Sequence, residues 1–254
     1  MDSAFAGRTI LITGGASGIG AATGRLLGIK GANVILVDMS DLVDITAEEI
    51  RSAGGACRAI RADISNEDDV ERFVAEAQEV YGRIDGAFNN AGVEQSGLPM
   101  ADLSAAQWNR VINIDLTGVF YCMKHEIRAM LKTGGGTIVN TASGLGIVAM
   151  QNSAEYVAAK HGVIGLTRAA AVDYGRQNIR VNAILPGVVN TPMVTRLGEA
   201  SGSPEMMDAI RQAHPIGRTA EAHEISDAAL WLLSDASSFV TGAAIAVDGG
   251  YTAV

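Results

Sequence analysis

Wholly apolar, β-branched runs recur along this chain, and a stretch with helical character follows almost every one. The runs are RTILIT (8–13), NVILVD (33–38), ACRAIRAD (56–63), RIDGAFNNAG (83–92), GTIVNTAS (136–143), IRVNAILPG (179–187) and GAAIAVDGG (242–250). A strand that is apolar on both faces must be covered on both faces, and strands separated by helices pair in parallel. The pattern therefore predicts α/β architecture: a single doubly wound domain over residues 1–254 with a seven-stranded parallel sheet. Helices are expected at 18–31, 41–54, 66–82, in one long region ending near Met130, at 154–176 and at 221–234. Residues 191–215 break the rhythm. They are rich in Met, Gly, Ser and Pro with weak periodicity, and are expected to form a substrate loop or lid.

Composition excludes several functions. The formal net charge is −9 and the basic residues are scattered, so a nucleic-acid backbone or an anionic membrane is an unfavourable partner. Cys57 and Cys122 lie in no Cys-x-x-Cys pair and read as reduced thiols in or near the core. His125, His161, His214 and His223 have no metal-ligand spacing, and no metal is expected. With no secretory leader in MDSAFAGRTILITGG and no apolar run of about 18 residues, the expected location is the cytoplasm.

TGGASGIG (13–20) follows the first strand directly and opens a helix. Gly14, Gly18 and Gly20 permit a tight turn and close approach to a pyrophosphate, with Ser17 and Ile19 in the same turn. The second strand ends in Asp38, eighteen residues beyond Gly20. A carboxylate there accepts hydrogen bonds from a ribose diol and repels a 2′-phosphate. No cation occupies Gly15–Ser17 or Met39, so NAD is favoured over NADP. Asp63, with Ile64 after it, ends the third strand where an adenine amino group could be met. Asn90, Ala91 and Gly92 end the fourth.

Tyr156 and Lys160 stand four residues apart and share a helix face, separated by small residues. A nearby ammonium stabilises a phenolate, so the tyrosine becomes a usable acid and base, with its pKa expected between neutral and mildly alkaline. Ser143, at the end of the fifth strand, is placed to bind a substrate oxygen. Asn113 lies in the apolar helical pattern of RVINIDLTGVF, where a buried amide needs partners.

Four motifs in order carry a resemblance over essentially the whole chain: the glycine turn at 13–20, Asn89-Asn-Ala-Gly92, Ser143 thirteen residues ahead of Tyr156-x-x-x-Lys160, and Pro186-Gly187 leading to Thr191. In these the sequence resembles the short-chain dehydrogenase/reductase family. The resemblance implies a Rossmann-like fold, a nicotinamide cofactor and a catalytic tetrad of Asn113, Ser143, Tyr156 and Lys160. In it Asn113 leads through a water to Lys160, while Val188, Val189 and Thr191 hold the nicotinamide carboxamide. It also implies a homotetramer, to which the apolar helices near 108–130 and 154–176 and the tail DGGYTAV contribute. FNNAGVEQSGLPMADLS, EYVAAKHGVIGLTRAAAVDYG and HPIGR add a finer likeness to bacterial NAD-dependent dehydrogenases of cyclic alcohols and diols.

For the substrate, Val148 and Met150 follow Ser143, while Met193, Leu197, Met206 and Met207 lie in the 191–215 loop. These apolar groups, with no paired cations, point to an uncharged secondary alcohol or ketone. Glu94, Gln95 and Gln151 are candidate polar contacts at its edge. A ketoreductase of carrier-bound 3-oxoacyl chains fits less well, since Asp38 and the acidic balance oppose NADPH and an acidic carrier. An NAD-sensing regulator would have no use for Tyr156.

Overall fold

The computed structural model describes residues 3–201, 208, 209 and 211–254. Strands form at β1 Thr9–Thr13, β2 Asn33–Asp38, β3 Ala56–Arg61, β4 Gly86–Asn89, β5 Gly136–Thr141 and β6 Ile179–Pro186. The short pair β7 Val189–Asn190 and β8 Ala220–Glu221, and β9 Ala244–Val247, complete the set. The main sheet has seven strands, all parallel, in the order β3-β2-β1-β4-β5-β6-β9. This is the doubly wound, Rossmann-like architecture. The strand order reverses between β1 and β4, where Thr13 pairs with Asn89. A crevice opens at the carboxyl edge of such a sheet at this switch point.

The alternation along β1 shows why both faces must be covered. Leu11 packs into one core layer with Phe73, Met130 and Val163, which come from α3 (Glu67–Tyr81), α5 (Val119–Thr133) and α6 (Ala154–Tyr174). Ile10 and Ile12 face the other way, with Leu27, Ile50 and Leu230 from α1 (Gly18–Ile29), α2 (Leu42–Ser52) and α8 (Ala222–Leu233). Local signals set the helix ends. The Asn66 side chain accepts from the Asp68 N–H ahead of three acids in the first turn of α3, and Gly82 closes that helix at φ 77°.

Two expectations change. The long helical region ending near Met130 is α4 (Ala105–Ile112), a π-helical segment at Asn113–Gly118, and α5. Gly118 lies so close to β3's exit that a Cβ there would meet Ile64 Cδ1 at 2.9 Å, which brings the widened turn against the sheet edge. The second change is in the expected loop. Residues Pro192–Ser201 form a helix, α7, with proline in its first turn, where a missing N–H costs nothing. The Leu197 side chain, and Met206 and Met207 altogether, lie outside the described residues. Cys57 and Cys122 are buried free thiols; burial pushes Cys57 up to about 12 and Cys122 well above its ordinary value. No helix among the described residues is long and apolar enough to cross a membrane.

Candidate active site

At the nucleotide end, the turn from β1 into α1 is built so tightly that only glycine fits. Gly14 has φ +70°, and a Cβ on Gly20 would stand 2.1 Å from the Gly14 carbonyl oxygen. Ser17 caps α1 without a side-chain hydrogen bond, leaving the first N–H groups of the helix to other acceptors. Half-buried Asp38 braces this turn. Its Oδ2 accepts from the Ala16 N–H at 3.0 Å and its Oδ1 from the Ser40 N–H at 2.9 Å, while Met39 beside it is exposed. Arg61 is the register partner of Asp38 on β3, and its guanidinium is drawn to Asp41 at 3.3 Å and Asp44 at 3.7 Å. Asp63 Oδ1 accepts from the Ser65 N–H and hydroxyl, and Ile64 is buried.

The Asn90 and Ala91 N–H groups both donate to Thr13 Oγ1 at 3.1 Å, and Asn90 Nδ2 donates to the Thr13 carbonyl. Asn90 thereby ties β4 to the glycine turn. Across the crevice, Pro186 ends β6, Gly187 is half-buried, Val189 is buried, and Thr191 Oγ1 donates to the Val189 carbonyl. The Thr191 methyl would lie 3.2 Å from a Cβ on Gly18, so α7 begins directly over α1's N-terminus. Open helix N–H groups, a turn in which a Cβ would collide, and a carboxylate at the end of the next strand fit a dinucleotide.

At the chemical end, α6 carries Tyr156 and Lys160 into the crevice together. The Lys160 ammonium lies 5.3 Å from the Tyr156 ring centroid and donates to the Thr141 carbonyl at 3.1 Å. Lys160 is buried, and its counter-ion is Asp115 of the π-helical segment, Nζ to Oδ2 3.1 Å. Asp115 is wholly buried, and its Oδ1 accepts from the Val93 N–H at 2.8 Å. Burial works against the lysine's charge, but Asp115 and the phenol hold its pKa above the ordinary lysine value. Burial also raises the Asp115 carboxyl, with Lys160 pulling it back.

An ammonium at this separation is worth on the order of 3 kcal/mol to a phenolate at an effective dielectric of about 20. That does not bring Tyr156 to neutrality. Burial pushes the phenol up, Lys160 and a hydrogen bond with Ser143 pull it down, and Asp115 pushes it up again; the net direction is upward. The expected neutral-to-mildly-alkaline value is corrected accordingly: burial is the largest of these effects and outweighs the pull of the lysine.

Residues 14–252 match a family model described as enoyl-(acyl carrier protein) reductase. The chain is 48% identical over 254 residues to a 2,5-dichloro-2,5-cyclohexadiene-1,4-diol dehydrogenase of Sphingobium indicum, covering 99% of this chain and 100% of that one. It is 41% identical over 253 residues to a cyclohexanol dehydrogenase of an Acinetobacter species, covering 99% and 98%. The crystal structure of levodione reductase superposes with a TM-score of 0.95 at 40% identity, over 98% of this chain and 99% of that one. This chain belongs to the short-chain dehydrogenase/reductase family.

Not every residue expected to serve this short-chain dehydrogenase/reductase site is placed in it. Ser143, Tyr156 and Lys160 come together; Asn113 does not. Asn113 is exposed, and the buried stripe of its helix runs through Val111, Asp115, Gly118, Val119 and Cys122. Asn113 is two residues from Val111 and so points away from that stripe, whereas Asp115 is four away and points into it. That spacing was the available signal for Asp115. Glu94, half-buried, pairs with Arg110 at 3.5 Å and Arg196 at 3.8 Å. Gln95 and Met193 are half-buried, while Val148, Met150 and Gln151 are exposed. Two further residues brace the site. The Val188 N–H donates to His214 Nε2 at 3.1 Å, with the imidazole stacked on Tyr251. Buried Glu155 accepts the Ser96 N–H at 2.6 Å and so fixes the segment after β4. No local sequence pattern marks either contact.

Proposed function

We propose that this oxidoreductase is an NAD-dependent dehydrogenase that interconverts an uncharged, apolar, cyclic secondary alcohol and its ketone, with Tyr156 as acid and base. The observation that carries the reading is the convergence of Tyr156, Ser143 and a buried Lys160 at the switch point, beside a glycine turn braced by Asp38. The residues that would hold the dinucleotide are Gly14, Ser17, Gly18, Ile19, Gly20, Asp38, Met39, Asp63, Ile64, Asn90, Ala91, Gly92, Pro186, Gly187, Val189 and Thr191, with Tyr156 and Lys160 at its nicotinamide half. The bound dinucleotide would supply a hydride acceptor and, in its oxidised form, a positive charge beside the phenol.

The chain's own residues handle the proton. Tyr156 Oη takes it from the alcohol hydroxyl during oxidation and returns it during reduction. Ser143 Oγ holds the substrate oxygen and donates to the charge that develops there. Lys160 favours the phenolate. NAD is preferred because Asp38 repels a 2′-phosphate and because Arg61, the nearest cation across the strand pair, is already shared by two carboxylates. An apolar substrate suits Val148 and Met193, with Gln95 and Gln151 at its edge and Met207 as a further apolar contact expected from the sequence. The named activities of two relatives, on a cyclohexadiene diol and on cyclohexanol, support an alicyclic ring.

The same reading makes the enzyme a cytoplasmic homotetramer. Exposed Phe120 on α5 and Val172 on α6 supply apolar surface for the assembly, which static light scattering would detect as a fourfold mass. The functional test is a cofactor-reduction screen over alicyclic, aryl and acyclic secondary alcohols with NAD and NADP. The highest kcat/KM is expected for an alicyclic alcohol with NAD. A carboxylate-bearing or carrier-linked substrate in first place, or a preference for NADP, would overturn the reading.

A further inference from the structure

The lysine that acts on Tyr156 is not a free cation. Its ammonium lies 3.1 Å from Asp115 Oδ2 and 5.3 Å from the centroid of the Tyr156 ring, and neither member of the ion pair is appreciably exposed. The carboxylate is rigidly held. Its Oδ1 accepts the Val93 N–H, and a Cβ on Gly92 would come within 3.2 Å of Oδ2, so the chain after β4 closes over it. Water screening between the two charges is therefore slight.

We propose that Asp115 is a positioning residue of this site: as the buried counter-ion of Lys160 it withholds part of that lysine's charge from Tyr156 and moves the working range for alcohol oxidation to higher pH. The inference rests on Tyr156 being the acid–base group. The Asp115 carboxylate faces the ammonium at 3.1 Å, and a negative charge there opposes the loss of the phenolic proton. The charged groups and histidines on the elements around the phenol are Glu155, Lys160, His161, Arg168 and Asp173 on α6, Asp115 on the π-helical segment, Arg110 on α4, and Glu94 on the segment after β4. Glu155 Oε1 accepts the Ser96 N–H and Glu94 pairs with Arg110 and Arg196; among the described residues Asp115 is the carboxylate in an ion pair with the ammonium.

Asp115→Asn removes the charge and keeps an oxygen for the Val93 N–H. The acid limb of its kcat/KM profile for alcohol oxidation should move to lower pH by about one unit, the scale of a single buried charge. NADH affinity should hold within about threefold, roughly 0.7 kcal/mol. A profile that coincides with wild type, or moves to higher pH, overturns the proposal; a purely structural strut would leave the profile where it is. Should this variant not fold, Asp115→Ser, which also removes the charge and keeps an oxygen on the side chain, is read by the same profile: a shift of the acid limb to lower pH is expected, and coincidence with wild type or a shift to higher pH overturns the proposal. Turnover surviving in Tyr156→Phe would instead overturn the acid–base reading, independently of Asp115.

Discussion

Asp38 and Asp115 both lie near the carboxyl edge of the same sheet, yet they are kept in different ways. Asp38 is half-buried, and backbone N–H groups take both its oxygens. Asp115 is wholly buried and depends on one backbone N–H and the ammonium of Lys160. The nucleotide end can therefore spare its carboxylate to a ribose without stranding a charge. The chemical end cannot lose either partner without leaving the other in a medium that does not solvate it. Binding sits where charges are cheap to hold, and proton transfer where they are expensive and strongly felt.

The largest effect that sharpens this contrast is expected from Lys160→Met. It strands Asp115 and should lower unfolding free energy by about 3–5 kcal/mol in urea, besides abolishing turnover. Adding Asp115→Asn should restore most of that stability, and no recovery in the double variant would break the ion-pair account. Glu126 extends the comparison deeper into the core. It is wholly buried, among the described residues the Asn89 amide is its side-chain partner at 3.0 Å, and burial raises its pKa from 4.5 to about 7. In acid below 4.5 the group is protonated in both states. Above that value the unfolded chain releases the proton first, so stability falls as pH rises toward about 7. The total is about 3 kcal/mol, and Glu126→Gln should flatten this slope between pH 5 and 8, roughly the range that linkage covers. Parallel slopes would show that Glu126 is ionised in the folded protein.

At the nucleotide end the effects are smaller. Asp38→Ala should narrow the kcat/KM preference for NAD over NADP by about tenfold, near 1.4 kcal/mol, with little change in stability. An unchanged ratio would move cofactor discrimination elsewhere, with Arg61 the next residue to examine. The smallest effect is expected from Asn113→Ala, an exposed site whose replacement should alter activity and stability by no more than about 0.5 kcal/mol. A loss comparable to that from Lys160→Met would return Asn113 to the machinery.

The two ends also differ in how legible they were from sequence. The glycine turn, Asp38, Asp63 and Asn90 sit at strand ends, and a strand end is fixed by where an apolar run stops. Tyr156 and Lys160 lie within one uninterrupted helix, so their shared face follows from spacing. Asp115 was missed because its helix is interrupted by a π-helical turn and because a carboxylate in an apolar stripe is read against the usual preference for solvent. The upward shift of Tyr156 comes first from burial and then from Asp115, and spacing along the chain gives the size of neither. α7 hid in a Met-, Gly- and Ser-rich stretch whose periodicity is too weak to announce a helix. The His214–Val188 contact joins segments that only the tertiary fold brings together.

The most direct measurement takes Tyr156→Phe and follows NADH binding and alcohol-dependent NAD reduction on the same preparation. Turnover should fall by about 10²–10⁴-fold, the usual worth of a positioned acid–base group, while the Kd for NADH stays within about threefold. Turnover close to wild type, or a loss that merely tracks weakened NADH binding, would contradict the assignment of proton transfer to Tyr156.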